Sequence, residues 1–210
     1  MALNKELAIE RYKKHATVYD ALTRRMEPVR ERAIHALRLR PGDTVVDVAC
    51  GTGKSFALIE KAIGDQGRLI AVDQSPDMLA VAREQVSAAG WRNVTLIEAS
   101  VEHAPIPDNV DAVLFCYTHD VLRSRAALDN IFRHAKSGAR IAVTGTKLLP
   151  WWVGFLNLVV LIRCYPYLTT FDGLGRPWSL LEEYVPTLRL RSALCGLSYV
   201  ASGTYFGHKL

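Results

Sequence analysis

The chain has no apolar run long enough to cross a bilayer. Its longest, LLPWWVGFLNLVVLI at 148–162, has 15 residues and is broken by a proline, a glycine and an asparagine, whereas a spanning helix needs roughly 18 to 20. Cysteine is sparse. Cys50, Cys116, Cys164 and Cys195 lie far apart, form no C-x-x-C pair and sit in apolar surroundings, which points to buried free thiols in a reducing compartment. The opening MALNKELAIERYKK is amphipathic and charged, without the continuous apolar core of a secretory signal. These absences predict a cytoplasmic protein without a transmembrane segment. The histidines are scattered and no spacing suggests a metal site. There is no internal repeat, no low-complexity segment and no recognised nucleic-acid-binding module.

What is present is ordinary in amount and uneven in placement. The 210 residues are 50% hydrophobic and 22% charged, enough for one large α/β domain with a real core. Of the net +5 charge, Arg11, Lys13, Lys14, Arg24, Arg25, Arg30, Arg32, Arg38 and Arg40 crowd the first forty positions, and Arg189 and Arg191 sit near the end. The plainer reading is a solvated helical face. The other is attraction to an anionic substrate or a membrane surface, so peripheral membrane contact stays open. A small-molecule substrate is expected rather than nucleic acid, in a monomer or homodimer.

Residues 5–40 read as helix, with Leu7, Tyr12, Ala16, Tyr19 and Leu22, then Val29, Ala33, Ala36 and Leu37, at helical spacing. After the turn Arg40-Pro41-Gly42-Asp43 a regular alternation begins: strand TVVDV (44–48), helix KSFALIEKAI, strand RLIAVD, helix PDMLAVAREQVSAAG, strand VTLIEA, strand DAVLFCY, helix RAALDNIFRHAK and strand ARIAVTGT (139–146). Strands apolar throughout imply burial on both faces, and the helices imply right-handed parallel crossovers. A doubly wound, mostly parallel seven-stranded α/β sheet follows, closed by a short helix at 179–185 and strands at 188–194 and 198–206. The domain plan is one unit, 1–210, with an N-terminal helical cap at 1–40 and an aromatic insertion at 147–186.

The turn after the first strand, VVDVACGTGK at 45–54, carries the first chemistry. A dinucleotide fingerprint would place a third glycine where Phe56 stands, and no Walker loop fits the spacing. A D-x-A-x-G-x-G turn suits a ligand with an adenosine end and no pyrophosphate. Asp47 can take an ammonium, and Gly51 and Gly53 let the backbone approach closely. Asp73 ends the second strand, where a carboxylate accepts ribose hydroxyls or serves as a turn aspartate.

VVDVACGTG, IAVDQSPDML and IEASVEHAPIPDNVDAVLF together resemble the class I S-adenosylmethionine-dependent methyltransferases, and within them the branch holding ubiquinone/menaquinone and phospholipid amine methyltransferases. The resemblance covers roughly residues 12–146. It implies that S-adenosylmethionine is the cofactor, with Asp47, Ala49, Gly51 and Gly53 around its methionine part. Asp73 would hold the ribose, Gln74 and Met78 would lie along the adenine, and Ser100 and Val101 would close the adenine side. Ala49 stands where relatives usually have glycine, a change the turn is expected to tolerate, and Ser100 where they usually have aspartate. Tyr19, of the Tyr19-Asp20 pair, would close over the cofactor carboxylate, or is a core aromatic.

Reaction is expected beyond the end of the fourth strand, at CYTHD, 116–120. Cys116 borders the cofactor there, Tyr117 lines the pocket, Thr118 offers its carbonyl or hydroxyl to the cofactor amine, and His119 is the candidate general base or a local hydrogen-bonding group. The insertion brings Trp151, Trp152, Phe155, Tyr165, Tyr167 and Phe171, expected to wall a dry aromatic box that attracts a cation. Arg176 is an anion anchor or a surface arginine. Three functions fit: methyl transfer to a small amine or lipid-like acceptor, cyclisation of S-adenosylmethionine itself to azetidine-2-carboxylate with release of methylthioadenosine, and a non-catalytic binding module.

Overall fold

The structure, a computed structural model, describes residues 26–149, 151–155, 157–158, 161 and 172–207, apart from the side chain of Trp151. Helix α1 (Glu27–Ala36) precedes β1 (Thr44–Val48), α2 (Phe56–Ile63), β2 (Arg68–Asp73), α3 (Pro76–Ala89), β3 (Val94–Glu98) and β4 (Val110–Cys116). The one-turn α4 (His119–Leu122), α5 (Arg125–His134), β5 (Ala135–Thr146), α6 (Leu181–Tyr184), β6 (Arg189–Ala193) and β7 (Ser198–Tyr205) follow. The strands form one seven-stranded sheet in the order β3-β2-β1-β4-β5-β7-β6. All pairs are parallel up to β5, and β7 runs antiparallel between β5 and β6.

The continuous apolar strands have the cause expected of them. Val46 and Val48 of β1 face one buried cluster with Leu128, Ile131 and Phe132 of α5. Val45 faces another with Val29, Ala33 and Leu37 of α1 and Phe56 and Ile59 of α2. Both faces are covered, so no strand position is left for a polar alternation. Helix α3 shows the local punctuation: Ser75 Oγ accepts the Met78 amide at 3.4 Å, Pro76 opens the helix, and Gly90 ends it at φ +70°.

Some expectations change. Strand β5 starts at Ala135 rather than Ala139 and takes Gly138 into itself. A register shift between Val110 and Ala112 absorbs the added residues. Of the arginines expected on a solvated helical face, Arg32 is exposed on α1, Arg38 and Arg40 are exposed in the loop that follows it, and Arg30 is only 4% exposed. It shares its helix face with Ala33, Ile34 and Leu37, which bury it. Cys195 is an exposed thiol, because it sits in a left-handed turn beyond edge strand β6 with φ +54°; Cys50 and Cys116 are partly exposed, and Cys164 lies outside the described residues. No described helix is long and apolar enough to cross a membrane.

Candidate active site

In the strand order the neighbours of β1 are β2 on one side and β4 on the other. This is the point where the winding reverses, and ligands of such sheets bind outside the carboxyl ends there. Asp47 and Ala49, Asp73, and Cys116 to His119 all stand at those ends, since Val48 is level with both Val72 and Phe115.

The glycine turn is built around Asp73. Its Oδ2 accepts the Gly51 amide at 2.8 Å and its Oδ1 the Ser75 amide at 2.9 Å. The carboxylate thus ties the end of β2 to the turn, although burial still raises its pKa against the help of those amides. Gly51 (φ +58°) has nothing within 4 Å of the place a Cβ would take, which leaves a cradle. Gly53 (φ +86°) would push a Cβ to 2.6 Å from the Phe56 ring, the residue in place of a third glycine. Ala49 adopts φ +50°. Glycine is the residue that takes this conformation without a steric cost, so the alanine is tolerated under strain.

Asp47 is different. It is 1% exposed, and neither carboxylate oxygen has a hydrogen-bond partner. Burial raises its pKa to about 7, with the Arg30 guanidinium opposing and Asp73 adding. Burial and the Asp47 carboxyl push the Cys116 thiol up to about 12, and Arg30 again opposes. The Tyr117 phenol is raised by burial too, and Arg30 bears on it as well. One arginine of α1 therefore acts on three groups at the ends of β1 and β4. No sequence motif marks it; its spacing with Ala33, Ile34 and Leu37 was the available signal.

Beyond β4 the backbone bends sharply. Tyr117 has φ +59° while its amide donates to the Thr144 carbonyl at 2.8 Å, and strain of this kind costs on the order of 1 kcal/mol. The Tyr117 hydroxyl and Thr118 Oγ1 are buried without hydrogen-bond partners. The Thr118 carbonyl accepts the Leu122 amide at 3.1 Å, so the hydroxyl is its unused group. His119 is 7% exposed, and its Nε2 lies 3.0 Å from the Asp172 carbonyl. A carbonyl only accepts, so Nε2 carries the proton in the neutral ring and Nδ1, buried without a partner, carries the lone pair. Burial lowers the His119 pKa below its usual value, against the pull of Asp120.

On the other side of β1, Ser100 and Val101 follow β3, whose continuation is held by the Ala99 amide on the Asp73 carbonyl at 3.0 Å. Asn130 of α5 donates to the Val101 and Ala104 carbonyls at 2.8 and 3.0 Å, fixing that loop. Gln74 is half-buried there and Met78 is 2% exposed. Tyr19, Tyr165, Tyr167 and Phe171 lie outside the described residues. Trp152 and Phe155 are 72% and 78% exposed, so these two do not wall a dry box. Arg176 is a surface arginine, paired with Glu182 at 2.8 Å.

The model of the methyltransferase-domain family matches residues 45–138, from β1 into the start of β5. The demethylmenaquinone methyltransferase of Symbiobacterium thermophilum is 33% identical over 204 residues, covering 83% of this chain and 81% of that protein. The chain belongs to the class I S-adenosylmethionine-dependent methyltransferases. The demethylmenaquinone methyltransferase of Listeria welshimeri is 29% identical to this methyltransferase over 198 residues, 86% of this chain and 84% of its own. A solved S-adenosylmethionine-dependent methyltransferase from Aquifex aeolicus shares the fold, with a TM-score of 0.68, 22% identity, and 91% and 97% of the two chains covered. The enzyme's methyl donor is S-adenosylmethionine, and the open Gly51 cradle and the unpartnered Asp47 carboxyl suit its amino-acid end.

Proposed function

We propose that this methyltransferase acts on a small apolar acceptor of the quinol class, with His119 taking the proton that the acceptor loses. The observation that carries the reading is the buried Nδ1 lone pair of His119, without a partner, in the segment after β4 whose Tyr117 and Thr118 hydroxyls are also buried without partners. The relatives named for methylating demethylmenaquinone support the acceptor class. Bound S-adenosylmethionine supplies an electrophilic methyl group. Asp47 receives the methionine ammonium, Gly51 and Gly53 line its backbone, and the lone pairs Asp73 keeps beyond its two amide bonds accept the ribose hydroxyls. Gln74, Met78, Ser100 and Val101 border the adenine, while Cys116, Tyr117 and Thr118 edge the reacting end.

His119 Nδ1 accepts the proton of an acceptor hydroxyl, and the charge left behind makes the conjugated ring carbon nucleophilic; once methylated, that carbon sheds its own hydrogen as a proton and the oxygen takes a proton back, which restores the quinol. A buried neutral imidazole can take the proton of an acidic hydroxyl near neutral pH, whereas an amine that has already shed its proton attacks without such a base. The test is incubation with S-adenosylmethionine and a short-chain demethylated naphthoquinol, read by mass spectrometry. S-adenosylhomocysteine with a methylated naphthoquinol, lost in His119→Gln, is the expected result. Methylthioadenosine released without any acceptor would overturn it in favour of cyclisation, and methylation confined to amines would overturn the quinol class.

A further inference from the structure

The short helix α4 meets one peptide with two side chains. His119 opens the helix and Arg123 caps it four positions on, so the two share one face. His119 Nε2 lies 3.0 Å from the Asp172 carbonyl. The next residue is Gly173, and the Arg123 guanidinium lies against it: a Cβ there would stand 2.8 Å from Arg123 Cζ, 3.2 Å from Nε and closer still to Nη1. Only a residue without a side chain fits beneath that group. Gly173 also takes φ +76°, which glycine adopts without steric cost. The turn is anchored just beyond, where the carbonyl of the buried Leu174 accepts the Leu148 amide at 2.9 Å and the Gly173 carbonyl accepts the Arg176 amide at 2.9 Å.

A peptide that precedes glycine turns over easily, because φ of either sign is open to that residue. Turned over, the Asp172–Gly173 peptide would offer His119 its N–H instead of its carbonyl. Nε2 would then have to accept, the ring proton would move to Nδ1, and the lone pair assigned to proton transfer would be gone. We infer that Arg123 is a positioning residue: packed on Gly173, its guanidinium keeps the Asp172 carbonyl on Nε2 and so keeps the lone pair of the base at Nδ1. The inference rests on the reading of His119 as the base. The charge of Arg123 works in the same direction. Burial above all opposes protonation of His119, and Arg123 adds to it, against the pull of Asp120 and Asp172. Since Arg123 is exposed, water screens that charge, and packing is the larger part of its action.

Nitrogen-15 spectra of the histidine rings report the tautomer in the free protein directly, with the His119 signals assigned by their loss in His119→Gln. The wild-type ring is expected to show the Nε2–H form alone near neutral pH. Arg123→Ala should show a mixture of tautomers and lower kcat toward the naphthoquinol about five- to tenfold, in proportion to the molecules that lose the competent ring, with KM for S-adenosylmethionine within about twofold. Its acid limb should move to higher pH, since a ring relieved of the arginine's charge is protonated sooner as pH falls. Arg123→Lys should keep the acid limb and still show the mixture, because it keeps the charge and loses the plane. Gly173→Ala is a second route to the same mixture, since its Cβ displaces the guanidinium. A single Nε2–H tautomer in all three variants would overturn the assignment, and a fall in kcat without a change of tautomer would make Arg123 a residue of the fold. Loss of the tautomer with full activity would instead bring down the reading of His119 as the base and leave the grip on the peptide standing.

Discussion

The ends of β2 and β3 and the ends of β1 and β4 belong to one binding edge, yet they are finished in opposite ways. On the β2 side the acid is used by the protein itself: both oxygens of Asp73 hold backbone amides, and Asn130 holds the neighbouring carbonyls. On the β4 side the Asp47 carboxylate, the Tyr117 and Thr118 hydroxyls and His119 Nδ1 are buried without partners. Buried polar groups in folded proteins are nearly all hydrogen-bonded. Exceptions gathered at the ends of two neighbouring strands, β1 and β4, therefore mark a place shaped for a ligand, at a cost to the free protein. The β2 side is shaped for the fold first and takes a ligand with what remains.

Breaking the unsatisfied side should harm function without harming the fold. His119→Gln is expected to lower kcat/KM about a hundredfold or more toward a hydroxylated acceptor, with little change in Tm. The wild-type pH profile should hold its activity to below the usual histidine value of about 6.5, because burial keeps the ring neutral, and the variant should lose this acid limb. Asp47→Asn should abolish cofactor binding and yet stabilise the free protein at pH 8. The Asp47 carboxyl has a folded pKa of about 7 against 3.8. It therefore costs stability as pH rises from about 4 to 7, at most on the order of 4 kcal/mol. Thermal melts at pH 8 and pH 4 check this, since the gain should vanish at the lower pH.

Breaking the satisfied side should harm both. Asp73→Ala removes the acceptor of two backbone amides, and should cost about 3 kcal/mol in denaturant unfolding besides weakening the cofactor more than tenfold. The two glycines carry the same contrast on a smaller scale. Gly53→Ala meets the Phe56 ring and should lower Tm by several degrees, whereas Gly51→Ala meets only open space and should lose cofactor affinity with a smaller change in Tm. The smallest expected effect is a gain: Ala49→Gly relieves φ +50° and should stabilise the free protein by about 0.5–1 kcal/mol.

Much of this was legible beforehand. β1 and β2 fall on the expected residues because a strand covered on both faces must be apolar from end to end, and the motif acids lie at its end for the same reason. The early start of β5 was hidden because Ala135 to Gly138 are partly polar and lie at the sheet margin, where no apolar signal is required. Arg30 was hidden among other arginines, although its spacing from Ala33, Ile34 and Leu37 placed it on the buried face.

The order of apolar runs, turn residues and acids determined the doubly wound sheet and the donor it binds, since those depend on neighbours close in the chain. Which polar groups are spent and which are left over was decided only by the folded chain. His119 takes its tautomer from a carbonyl 53 residues away, and Asp73 spends its oxygen on an amide 22 residues away. Asp47 is left without a hydrogen-bond partner in a buried strand whose apolar neighbour Val45 packs on residues from both earlier and later in the chain. A hydrogen bond or its absence depends on distances that sequence neighbours do not set, and here those distances separate the acid that builds the site from the acid that waits for its ligand.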